Sequence, residues 1–128
     1  MWVPPRRQIP DGCSGVPIVP VPGASAVTSA ISVSGLRIDG FVYLGFLPRK
    51  KSDRRKLIAS LAAERRALVA FETPHRLTGA LADIRDALGD RRIAVCRELT
   101  KLHEEVFRGT VSEAETHFAE PRGEFTLV

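Results

Sequence analysis

The chain is 128 residues long, 44% hydrophobic and 27% charged, with a net charge of +4 and a pI near 9.6. That suffices for one domain with its own core. It excludes an internal repeat array, and, with Cys13 and Cys96 as its two cysteines, a disulfide framework. No apolar run is long enough to span a membrane and no charged-then-apolar leader opens the chain, so a cytoplasmic location is expected.

Residues 1–15 are rich in Pro, Gly and Arg and read as an irregular lead-in. A short extended run over Ile18–Val21 ends at Pro22-Gly23, and small residues then open an almost wholly apolar helix over 24–34, stopped at Gly35. Small residues let a ligand or another backbone approach, although a tight turn and a close helix contact would explain them equally. A strand follows over 41–46. Its alternation puts Phe41 and Tyr43 on one face and Phe46 on the other, with core packing as the first expectation for all three rings. Arg49, Lys50, Lys51, Arg54, Arg55 and Lys56 then place six basic residues in eight positions against the single acid Asp53. They fall on a loop and the first turn of a helix over 53–64. Cations there oppose the helix dipole, which argues for phosphate contact over a merely solvated basic face.

Leu68-Val69-Ala70-Phe71 reads as a buried strand within 67–71, and a helix over 74–88 follows with Thr73 as N-cap and Pro74 at its first position. Leu77, Leu81, Ile84 and Leu88 form its apolar stripe, and Gly89 its stop. Glu72, His75 and Arg76 therefore gather at the strand's C-terminal end, where α/β proteins place ligand contacts, though His75 could equally be an ion-paired cap. Strands over 92–97 and 105–109 flank the charged segment from Arg97 to Glu105, which belongs at the end of a hairpin-like turn. Its acids and bases could simply pair with one another. Cys96 reads as a small buried apolar residue. Thr110 and Glu113 fit a capping box for a short helix near 111–119, and a last strand runs over 123–128. Alternating strands and helices followed by two adjacent strands predict an α/β fold, a mixed sheet flanked by helices.

Several long motifs occur in order: VPVPGASAV at 19–27, SGLRIDGFVYLGFLPRKK at 34–51, LVAFETPHRL at 68–77, LGDRRIAVCRELTKLHEEVFRGTV at 88–111 and PRGEF at 121–125. In these the chain resembles the C-terminal domain of the ribosomal RNA small subunit methyltransferase I family, within the tetrapyrrole methylase superfamily, from about Val16 to Val128. The resemblance implies the fold of the second domain of tetrapyrrole methylases. It also implies methyl transfer from S-adenosylmethionine to the ribose 2′-hydroxyl of a cytidine in the decoding region of 16S rRNA. The family's N-terminal domain has no counterpart here, so the expectation is half an enzyme, inactive alone, working as a homodimer on 16S rRNA or the small ribosomal subunit. The exposed apolar surface for dimerisation is expected on the small-residue helix after Pro22-Gly23.

The resemblance further implies that Pro22, Gly23, Ala24, Ser25, Gly45, Phe46, Leu47 and Pro48 line the cofactor. Glu72, His75 and Arg76 take positioning roles, and Arg97, Glu98, Lys101 and Glu105 form the polar cluster nearest the substrate. Arg49, Lys50, Lys51, Arg54, Arg55, Lys56 and Arg76 are the candidates for RNA contact. In-line methyl transfer needs the ribose oxygen held against the methyl and a path for its proton, and Glu98, Glu104, Glu105, Lys101 and His75 all remain open as acceptors. No residue spacing indicates a metal site. Three other readings stand beside this one: an RNA-binding or assembly module without catalysis, a tetrapyrrole methylase relative acting on a small molecule, and a structural reading in which the polar clusters are ion-pair networks left exposed by truncation.

Overall fold

The computed structural model describes residues 19–128; the lead-in expected over 1–15, with Cys13, lies outside them. In chain order the elements are α1 (Ala26–Val33), β1 (Phe41–Phe46), α2 (Lys51–Ser60), β2 (Ala67–Glu72), α3 (Pro74–Leu88), β3 (Arg92–Arg97), β4 (Glu105–Thr110), α4 (Val111–His117) and β5 (Phe125–Leu127). The strands form one sheet in the order β1-β2-β5-β3-β4. β1 and β2 are parallel and joined through α2, whereas β5 runs antiparallel to both β2 and β3, and β3 and β4 form an antiparallel hairpin. This is the mixed α/β sheet flanked by helices that the sequence predicts.

Some ends differ from expectation for local reasons. α1 starts at Ala26 because Ser25 is extended, with φ −135° and ψ 126°. α2 starts two residues early, the Arg54 amide donating to the Lys50 carbonyl. It also ends early, since the amides of Leu61, Ala62 and Glu64 bond three residues back in tight turns. The capping box at Thr110 and Glu113 forms as expected.

The two central strands are covered on both faces, which is why β3 reads as continuously apolar. Ile93, Val95, Phe125 and Leu127 face Leu77 and Leu81 of α3 and Val111, Ala114 and Phe118 around α4. On the opposite face Val69, Ala94, Cys96 and Val128 pack under Ala30 of α1. Burial there pushes the Cys96 thiol up to about 11. Arg108 of β4 ties α1 down, its Nε and Nη2 donating to the Val33 carbonyl at 2.9 and 2.6 Å, at the helix end where a cation is favoured.

The expected face of Phe46 is corrected by the backbone. Tyr43 pairs with Val69 but Gly45 with Ala70, so Leu44 is an extra residue in β1, and Gly45 takes φ +67°. This bulge inverts the alternation that follows it. Phe46 returns to the face of Phe41 and Tyr43, and Leu47 drops into a core cluster with Ala70 and Ala80. The three rings are not core residues: Phe41, Tyr43 and Phe46 are all exposed. The apolar stripe of α1 is itself used against the sheet through Val27, Ala30, Ile31 and Val33, so the exposed large apolar side chains lie off that helix, on β1 and at Val19, Val21 and Leu102.

Candidate active site at one end of the sheet

Glu72 of β2 pairs with Phe125 of β5, Phe125 with Arg97 of β3, and Arg97 with Glu105 of β4. Residues in one cross-strand row share a face, so Glu72, Arg97 and Glu105 all point toward the α3 and α4 layer, with the Phe125 ring between the first two. Glu72 is 1% exposed. Its Oε1 accepts from the Thr73 amide at 2.8 Å and from Arg76 Nε at 3.1 Å. Thr73 occupies the N-cap of α3 without a capping bond from its own side chain, so the Glu72 carboxylate serves the entry to the helix instead. Glu72 Oε2 and, across the row, Arg97 Nε are buried side-chain atoms without a hydrogen-bond partner among the described residues. His75 is exposed and lies on the outer side of this turn.

Across the row, Arg97 Nε stands 3.5 Å from Glu105 Oε2, and its Nη2 reaches the His103 carbonyl at 3.4 Å. Glu105 Oε1 also meets His117 Nε2 in a close contact. The His117 ring in turn lies against Phe107 and Phe118.

The hairpin loop between β3 and β4 is pinned to the segment before β5. The Glu98 amide donates to the Glu124 carbonyl at 2.9 Å, and the Glu124 amide returns a bond to Glu98 Oε1 at 2.6 Å. Lys101 Nζ donates to Glu124 Oε2 at 2.7 Å and sits 3.3 Å from Glu98 Oε2. Glu98 and Thr100 adopt φ of 50° and 67°, and Gly123 φ +88°. A Cβ at Gly123 would meet Glu98 Cγ at 2.6 Å, so glycine is required twice over, by conformation and by space. The Glu124 amide, with Lys101 nearby, holds the Glu98 carboxyl below its ordinary value. Glu124 and then Glu98 raise Lys101 above its own. The clamp is thus charged on both sides near neutral pH, and neither member is poised to take up a proton. Leu102 projects from this loop 92% exposed.

The basic run separates into two kinds of residue. Arg54 is 5% exposed and donates from Nε to Asp83 Oδ2 at 2.7 Å, filling the space beside Gly79 of α3. It is therefore not available to RNA, a correction to its expected role: the helical period turns it inward against α3. Arg55 reaches Asp83 at 3.7 Å and Asp86 at 4.0 Å from the surface. Arg49, Lys50, Lys51 and Lys56 are exposed, with no ion-pair partner among the described residues. Of the expected cofactor-lining residues, Pro22, Gly23, Ala24 and Ser25 are exposed, and a Cβ on Gly23 would meet nothing within 4 Å. The Leu47 side chain, 3% exposed and packed beneath the sheet, cannot line that surface.

Sequence reading gave no role to Glu124 and Gly123, which complete the clamp, although an acid and a glycine just before a strand was a usable signal. It also missed Asp83, which partners Arg54. A cavity of about 270 Å³ lies among Ile58, Leu61, Ile84 and Leu88, near the N-terminal ends of β2 and β3, with Arg65, Arg66, Arg91 and Arg92 at its margin. No helix among the described residues is long and apolar enough to cross a membrane.

The fold is similar to that of the methyltransferase CobJ, with a TM-score of 0.63 and 18% identity over 89% of this chain and 52% of that one. The chain is 51% identical to the ribosomal RNA small subunit methyltransferase I of Thermotoga maritima, the match covering 97% of this chain and 57% of the relative. It is 43% identical to the protein of the same name from Synechocystis sp., over 97% of this chain and 46% of the relative. The chain thus spans about half the length of the curated relatives it matches. The family model described as tetrapyrrole (corrin/porphyrin) methylases matches residues 7–115. With that match across most of its length and with the mixed sheet already described, the chain belongs to the tetrapyrrole (corrin/porphyrin) methylase family.

Proposed function

We propose that this chain supplies the substrate-facing part of an S-adenosylmethionine-dependent methyltransferase acting on small-subunit ribosomal RNA. Its target in this reading is the ribose 2′-hydroxyl of a cytidine in the decoding region of 16S rRNA. The observation that carries the reading is the row of Glu72, Arg97 and Glu105 beside a loop locked by Glu98, Lys101 and Glu124. It occurs in a chain whose relatives are named for rRNA methylation. In the same reading a second domain completes the cleft, the enzyme is a cytoplasmic homodimer, and these 128 residues alone turn over no substrate.

The residues present suit the cofactor. The buried, orphaned Glu72 Oε2 is an acceptor for a ligand that carries amino and hydroxyl donors, and the open turn at Pro22, Gly23, Ala24 and Ser25 leaves room for one. Gly45 and Pro48 at the end of β1 complete the proposed lining, the bulge having turned Phe46 to the exposed face of the strand. When bound, the cofactor contributes an electrophilic methyl group on sulfur. The protein's share is positioning and proton management. Arg76 holds the Glu72 side of the cleft, its Nε orienting the Glu72 carboxylate, and His75 stands exposed at its edge. Arg97 presents positive charge to the RNA backbone, and Lys101 holds the loop beside it. In this reading Glu105, which meets Arg97 and His117, is the carboxylate that takes up the ribose proton, since Glu98 is bound to the Glu124 amide and lowered in basicity.

The exposed cations Arg49, Lys50, Lys51 and Lys56 fit a polyanionic substrate, and by themselves they also fit a module that binds RNA without catalysis. Calorimetric titration of the chain with S-adenosylmethionine and S-adenosylhomocysteine separates these. Heat that is saturable, and that is lost in Glu72→Gln but retained in Lys101→Ala, supports the cofactor cleft. RNA binding with no cofactor heat supports the non-catalytic module.

A further inference from the structure

We propose that the exposed face of β1 is a stacking platform for unpaired RNA bases, formed by Tyr43, Phe46 and Phe71 with Phe41 at its margin. The inference rests on the RNA reading above and adds a site to it. Tyr43 and Phe46 are 52% and 63% exposed, yet neither ring is loose. Each meets Phe71 edge-on, with centroids 5.6 and 5.5 Å apart. Half-buried Phe71 thus acts as a common support holding two exposed rings side by side. The bulge at Leu44 and Gly45 is what brings Phe46 to this face, and without it the ring would point toward α2.

The occupant is argued from chemistry. A patch of aromatic rings on an exposed edge strand is costly unless something covers it. The strand leads directly into Arg49, Lys50 and Lys51, which carry positive charge with no acidic partner among the described residues. Rings that take base faces beside cations that take phosphates form the composite surface recognised by single-stranded nucleic acid, because any base offers a π-face. A protein partner covering the same patch would need acids opposite these cations. A second copy of this chain would bring its own Arg49, Lys50 and Lys51 if it docked by the same surface, setting like charges together.

The test uses Tyr43→Trp in a Trp2→Phe background, so that one indole reports on the platform. A short oligocytidylate should quench that indole, and inorganic polyphosphate, which has charge but no bases, should not. Tyr43→Ala should weaken oligocytidylate binding by about ten- to a hundredfold, with Tyr43→Phe near the unsubstituted affinity and Phe41→Ala showing a smaller loss. Equal quenching by polyphosphate would overturn the platform. So would oligocytidylate affinity unchanged by Tyr43→Ala, which would leave RNA binding intact, or sedimentation showing that Tyr43→Ala dissociates a dimer. No binding of either polyanion would instead reject the RNA reading on which the platform rests.

Discussion

The ion pair between α2 and α3 and the clamp on the β3–β4 loop are built from the same kinds of charge, but their surroundings give them opposite work. Arg54 and Asp83 are sealed between two helices, with side chains 6% and 4% exposed. Lys101 bridges Glu98 and Glu124 at the surface, where water competes for every bond. In the first place removing a partner strands a buried charge; in the second it mostly loosens a loop. The comparison therefore teaches that charge density alone does not mark a site. What distinguishes the clamp is that Glu98 also bonds the backbone of Glu124, and so ties the β3–β4 loop to the segment before β5.

The sharpest way to break that contrast is Asp83→Ala, which leaves Arg54 buried and unpaired. It should cost about 3–5 kcal/mol in denaturant unfolding. The paired change Arg54→Met with Asp83→Leu should recover much of the loss, and if it does not, the ion pair contributes more than the absence of an unpaired charge. Next in size is Gly123→Ala. It forces a side chain into positive φ and against Glu98, and should cost about 1–3 kcal/mol. Unfolding at an unchanged midpoint would show that the loop before β5 has room to move.

Lys101→Ala should leave the unfolding midpoint nearly unchanged while accelerating amide exchange at Glu98 and Glu124, because the bonds it supports lie at the surface. A large shift in midpoint would mean that the surface clamp carries global stability as the buried pair does. The smallest effect expected is that of pH. Glu98 is lowered from 4.5, so its contribution is complete above about pH 4.5 and is lost as the pH falls through the depressed value. Amide exchange at Glu124 followed down in pH should stay slow to below that point. Loosening already at pH 6 would mean that the carboxylate is not what holds the loop.

The layout of the fold was legible where local chemistry and burial agree. The stripe of Leu77 and Leu81, the stop at Gly89 and the capping box at Thr110 are all local patterns, and the structure forms them. The candidate site was legible as two separate polar segments, one after β2 and one after β3. That they face the same way follows from the insertion of β5 between these strands, a pairing that no local signal in the sequence reports. Arg54 was misread because a run of cations looks uniform in sequence, while a helix sends one residue in three or four inward.

By itself, then, the sequence determined the order and kind of the elements, the basic character of the loop after β1, and the family resemblance, because each of these is written in residues close together along the chain. Only the tertiary structure decided which cation is buried, where Phe46 points, and that Glu98 is completed by Glu124. The first depends on a partner on another helix and the last on a residue 26 positions away. The second turns on a single extra residue in β1, which inverts every side chain after it, since a strand's alternation has a period of two.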